Sequence, residues 1–183
     1  EMRIGYNPAD FDTGVTAEAK PAFEAALQAV RGLGVKMVET KLPDFPYGAM
    51  VSTIIGGEMG SIFEDLVASG EVDKLADKRQ IAGIKMTQEL PAKDYLRAMR
   101  LRRLVQQALR EMFYDIDLFL TPARGGPAGR ISEPLDTPGP TGSPVIPAGN
   151  LAGLPAISLP CGFAQKMPVA ISFLGPAFSE HRL

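Results

Sequence analysis

The sequence predicts an α/β protein, a mixed β-sheet flanked by helices, and three patterns lead there. Short apolar runs of strand length recur along the chain, at residues 3–6, 35–41, 117–121, 156–159 and 169–174. Between the early ones lie segments with apolar residues every three or four positions, the period of one helix face. Pro and Gly cluster at the junctions, where the backbone must turn. At 183 residues, with 45% hydrophobic and 22% charged, the chain has the length and balance of one folded domain.

Taken in order, residues 3–6 form a strand that ends at Asn7-Pro8, because proline biases the chain into a turn. Residues 10–16 read as loop. Phe23, Ala26, Leu27, Val30 and Leu33 then mark one helix face, with Thr16 as a candidate cap or, since Pro21 fits best in the first turn, a start later than Thr16, and with Gly32 and Gly34 as the stop. The strand at 35–41 completes a β-α-β start before Pro43 and Pro46. From Tyr47 to Val67 the spacing of Val51, Ile54, Ile55, Met59, Ile62, Phe63 and Leu66 is helical, and Gly56, Gly57 and Gly60 admit close approach of another element. Glu58 falls at the edge of that stripe and reads as a partly exposed side chain.

Residues 73–89 form a weaker helical stretch, interrupted at Pro91. Residues 93–113 form the strongest helix, with Leu101, Leu104, Val105, Ala108, Leu109, Met112 and Phe113 on one side and Arg103, Gln106, Gln107, Arg110 and Glu111 opposite. After the buried strand at 117–121, residues 122–147 turn to Pro, Gly, Ser and Thr, the composition of a long loop. Asn150 to Leu154 continue as loop. Residues 156–159 then read as a buried strand closed by Pro155 and Pro160, with a hairpin connection over 162–168.

Charge and composition exclude several classes. A formal charge of -2 gives no global attraction to nucleic acid or anionic membrane. The single cysteine, Cys161, rules out an internal disulfide framework and a cysteine-based zinc site, and the single histidine, His181, cannot make a metal cluster. No run approaches the roughly 20 apolar residues that span a bilayer, and a cytoplasmic setting is expected. No phosphate-binding glycine motif follows a strand. Arg97, Arg100, Arg102, Arg103 and Arg110 are the only basic cluster, and they read as a solvated or ion-paired helix face. Ser158 and Ser172 lie in strand runs with no identifiable base, so they read as structural, as does Cys161.

Read as a whole, Asn150-Leu-Ala-Gly-Leu-Pro-Ala-Ile-Ser-Leu-Pro-Cys-Gly-Phe163, followed by Met167-Pro-Val169 and Gly175-Pro-Ala-Phe-Ser-Glu180, resembles the C-terminal part of the amidase signature enzymes. Asp117-Leu-Phe-Leu-Thr-Pro122 is similar to that family's strand before the substrate loop, and Arg3-Ile-Gly-Tyr6 to the strand that opens its second half. The resemblance implies the amidase signature fold and hydrolysis of carboxamides by a Ser, a second Ser in a cis peptide, and a Lys. Those residues sit on a Gly/Ser-rich segment and an upstream lysine, and this chain carries neither. Gly56-Gly-Glu-Met-Gly-Ser61 and Gly142-Ser-Pro144 lack paired serines. The expectation is therefore a C-terminal portion, residues 1–183, whose catalytic N-terminal portion is absent. Its start in a strand at Glu1-Met2-Arg3-Ile4 and its end at His181-Arg182-Leu183 are those expected of an excised piece.

By the same resemblance, Thr121 and Pro122, together with Asn150 and Gly153 within the Asn-Leu-Ala-Gly-Leu motif, belong to segments around the substrate cleft. Arg79 falls where the amidotransferase A subunits carry a basic pair that helps hold glutamine. The Asp those subunits place before Asn-Leu-Ala-Gly is replaced here by the region of Ser143 and Pro144, which favours a general amidase. Ala170-Ile171-Ser172 stands where the family commonly has Gly-Leu-Gln. No catalytic residue, metal or organic cofactor is assigned to this chain. The partners implied are the missing half of the enzyme and a small carboxamide, with no direct nucleic-acid or membrane contact, and homo-oligomers through exposed sheet edges. The alternatives are a fragment of the A subunit of a tRNA-dependent glutamine amidotransferase and a non-catalytic binding module on the same scaffold.

Overall fold

A computed structural model describes residues 1–134 and 143–183. Among these residues one five-stranded mixed sheet has the order β2-β1-β3-β5-β4, formed by β1 (Arg3–Tyr6), β2 (Lys36–Glu39), β3 (Leu118–Pro122), β4 (Ala156–Ala164) and β5 (Met167–Leu174). β1 runs parallel to β2 and to β3, whereas β5 runs antiparallel to both β3 and β4. The parallel pairs follow from helical crossovers, the last pair from a tight hairpin.

β3 is buried along its whole length, and its side chains alternate between two cores. Leu120 joins Ile4, Tyr6, Phe11, Phe23 and Leu27 beneath α1 (Pro8–Asp12) and α2 (Lys20–Gly32). Phe119 joins Phe113, Ile116, Val145 and Leu174 on the other face. Behind that second core, α3 (Tyr47–Ile62), α6 (Ala92–Met112) and α7 (Val145–Ala152) pack through Met50, Ile54, Val105, Leu109 and Leu151. The shorter helices α4 (Glu64–Ala68) and α5 (Lys78–Thr87) extend this layer. At Gly57 an added Cβ would lie 2.6 Å from the Tyr95 ring, so the bare backbone lets α3 and α6 meet there.

Several expectations are corrected. Part of residues 10–16 is helical, because Asn7 caps α1 by accepting from the Ala9 N–H at 3.3 Å. Thr16 caps nothing with its side chain: α2 begins after Ala19, with Pro21 in the first turn, and the Thr16 carbonyl takes the Ala19 and Lys20 N–H groups. Asn150 is helical rather than loop. Pro147 falls within the first turn of α7, where no intrahelical donor is needed, and Val145, Ala148 and Leu151 bury one face. Gly153 ends that helix in the left-handed conformation at φ 70°.

A further correction concerns the strand after that helix. It runs through Pro160 to Ala164 and is mostly exposed, because it is the sheet's edge, where a missing ladder donor is tolerated, and a register shift between Pro160 and Gly162 takes up Cys161. Leu33 and Leu104, read as core, are 76% and 48% exposed at the margins of their stripes. Glu58 is exposed, further out than the edge position its spacing suggests. Gly142 and the middle of the 122–147 stretch lie outside the described residues.

Candidate functional site

Strand register brings three hydroxyls to one level on neighbouring strands. Thr121 of β3 faces Ser172 of β5, which in turn faces Ser158 of β4. Thr121 and Ser172 are buried, and the Ser158 and Ser172 Oγ atoms lie 2.6 Å apart. Above this row lies α7, and the gap between them is a cleft of about 150 Å³ lined by the three hydroxyl residues with Val145, Ile146, Gly149, Asn150, Leu154 and Leu174. Thr121 and Asn150, predicted from separate segments, thus meet at one cleft. Pro122 pairs with Ile171 at the end of β3, and Gly153 sets the turn that leads Leu154 back to the sheet. Arg79 is exposed on the first turn of α5, with its N–H accepted by Asp77, and is not among the residues lining that cleft.

The row supplies hydroxyl donors and acceptors but no base. The cleft lining holds no Lys, His, Asp or Glu, and two serines sharing one hydrogen bond do not activate each other as nucleophiles. Cys161 donates to the Val169 carbonyl at 3.5 Å, and burial pushes its thiol up from the usual range, against thiolate formation. His181 is exposed in the last turn of the chain. Among the described residues no group of three metal-ligating side chains occurs, and no helix is long and apolar enough to cross a membrane.

A wider depression of about 720 Å³ opens beyond β3, where Arg124, Ser143, Pro144 and Ile146 face Phe45, Tyr47 and Gly48 at the start of α3. Tyr47 is buried and donates its hydroxyl to the Pro43 carbonyl. Burial, with the Asp44 charge adding to it, pushes its pKa up to about 12, so the phenol remains a donor. Nearby, Asp10 accepts from the Asn7 amide at 3.0 Å, yet burial outweighs that bond and raises its carboxyl above the ordinary value. The basic face of α6 also has one member with a specific partner: Arg102 Nε donates to the Leu151 carbonyl at the end of α7, 2.6 Å away. Sequence spacing missed this bond and the hydroxyl row alike, because both depend on which elements become neighbours.

The amidase family model matches residues 1–183. The chain belongs to the amidase family. This amidase chain is 29% identical over 207 aligned positions to the A subunit of a glutamyl-tRNA(Gln) amidotransferase of Halorhodospira halophila, covering all of the chain and 43% of that relative. It is 31% identical over 178 positions to an amidase of Pseudomonas putida, covering 90% of the chain and 37% of the relative. A solved crystal structure of an amidase superposes with a TM-score of 0.82 at 20% identity, over 98% of the chain and 42% of that structure. The amidase chain therefore spans less than half the length of the relatives it matches, and its mixed sheet is theirs.

Proposed function

We propose that the chain is the C-terminal portion of an amidase that hydrolyses carboxamide C–N bonds, contributing sheet and substrate-cleft walls. The observation that carries this reading is the cleft itself: polar groups suited to holding an amide stand at Thr121 and Asn150, with no group able to activate a nucleophile. The catalytic Ser, cis-peptide Ser and Lys belong, in this reading, to residues outside the 183. There a serine oxygen attacks the carboxamide carbon, the C–N bond breaks, and ammonia or an amine leaves with a proton. Water then cleaves the acyl-serine ester and releases the carboxylic acid. Thr121, Pro122, Asn150 and Gly153 shape the wall against which the acyl group lies, and Arg79, on α5, has no part in that wall.

The test is ammonia release from a panel of primary carboxamides by the protein at its natural length, with Asn150→Ala as the probe of the wall. The expected result is turnover that falls about tenfold in the variant, the cost of one lost polar contact to the bound amide. Equal turnover in the variant removes Asn150 from the cleft, and absence of turnover on every amide removes the hydrolase reading. A second reading rests on the similarity to the A subunit of a glutamyl-tRNA(Gln) amidotransferase. Glutamine hydrolysis that appears only when a second protein of such a complex is added selects it over a free amidase.

A further inference from the structure

Asn150 also borders a second cavity, of about 220 Å³, on the side of α7 away from the hydroxyl row. Val51, Ile54 and Ile55 of α3 form an aliphatic wall, and Glu58, Arg102 and Leu151 complete the lining. The bond from Arg102 Nε to the Leu151 carbonyl fixes the guanidinium plane. Its two terminal nitrogens make no hydrogen bond or ion pair among the described residues, and neither does the Glu58 carboxylate. Opposite charges thus line one small cavity without closing on each other. A guanidinium held through Nε still presents N–H groups to a carboxylate, and the Glu58 oxygens accept from an ammonium. The volume is several times the ~30 Å³ of one liquid water, room for a compact molecule and not for a peptide.

We propose that this cavity binds a small zwitterion of the α-amino-acid type. Its carboxylate lies on Arg102, its ammonium against Glu58, and its aliphatic part against Val51 and Ile54. The site stands apart from the amidase reading, since it is read by binding and needs no turnover. Capping of α7 alone would explain the Arg102 bond, but it gives Glu58 no part to play.

Calorimetric titration of the protein at its natural length with L-alanine, propionate and ethylammonium separates the charges at nearly constant size. L-Alanine is expected to bind about tenfold or more tightly than either single-charge probe. Glu58→Gln, at an exposed position where the fold tolerates the change, should reduce L-alanine to the affinity of propionate and leave propionate unchanged. Arg102→Lys should weaken L-alanine and propionate together and leave ethylammonium unchanged. No binding of any probe, L-alanine no tighter than propionate, or full L-alanine affinity in Glu58→Gln each overturns the proposal. The Glu58 arm decides by itself if Arg102→Lys disturbs the fold.

Discussion

Asp117, just before β3, accepts the Arg3 backbone N–H at 2.8 Å and the Arg3 side chain at 3.4 Å, with Arg182 3.5 Å away. The backbone bond, then the side-chain bond, holds its carboxyl below the usual carboxylate range, against the opposing effect of burial. A folded-state pKa lowered in this way gives stability that is complete above the unfolded value of about 3.9 and is lost as pH falls through the folded value. Asp117→Asn should therefore cost about 1 kcal/mol near neutral pH, a modest figure because both guanidinium groups are partly exposed. Urea midpoints should converge between wild type and variant as the medium is acidified. An equal gap at neutral and strongly acid pH would show that the charge is not what matters.

Two elements set local geometry against residue type in ways that substitution can read. The hairpin between β4 and β5 turns through Gln165 and Lys166, at φ 51° and 65°, the sign pattern of a type I′ turn that favours Asn-Gly. Replacing the pair by Asn-Gly should raise stability by about 0.5–1 kcal/mol, measured by denaturant midpoint, and a loss would show that the two side chains make contacts worth more than the backbone relief. Along the helices, Gly83 of α5 has open space where a Cβ would go, whereas at Gly57 the Tyr95 ring occupies it. Gly83→Ala should stabilise by up to about 1 kcal/mol, and Gly57→Ala should destabilise by about 1 kcal/mol once its steric cost outweighs the same helix gain. Matching signs for the two would contradict the α3–α6 contact.

The strong periodicity of α2 and α6 and the apolar β3 were readable because local pattern and burial agree in them. The five-residue α1 and the proline-containing α7 were hidden: one is too short for a period, and in the other Pro147 and Gly149 look like loop until the helix start is known. Residues 156–159 read as buried because they are apolar, yet burial of a strand depends on what lies beyond its edge. Thr121 and Asn150 could be named from the motifs that contain them. The hydroxyl partners Ser158 and Ser172, and the Arg102 contact with Leu151, required the strand register and the helix packing.

At the scale of the whole molecule, the sheet ends on β4, a nine-residue edge strand with Leu159 43% and Phe163 72% exposed. Such an edge invites pairing. The 183-residue chain alone is therefore expected to self-associate in sedimentation as its concentration rises, while the protein at natural length should not; monomeric behaviour of the chain alone would show that β4 is not a pairing edge. The lining of the cleft beneath α7 holds hydroxyls and an amide but no Lys, His, Asp or Glu, in keeping with the proposed C-terminal portion. Ammonia release from a primary carboxamide, compared between residues 1–183 alone and the protein at natural length, tests that view most directly. The account predicts turnover by the natural-length protein and none by the 183 residues, and turnover by the 183 residues in proportion to their concentration would contradict it.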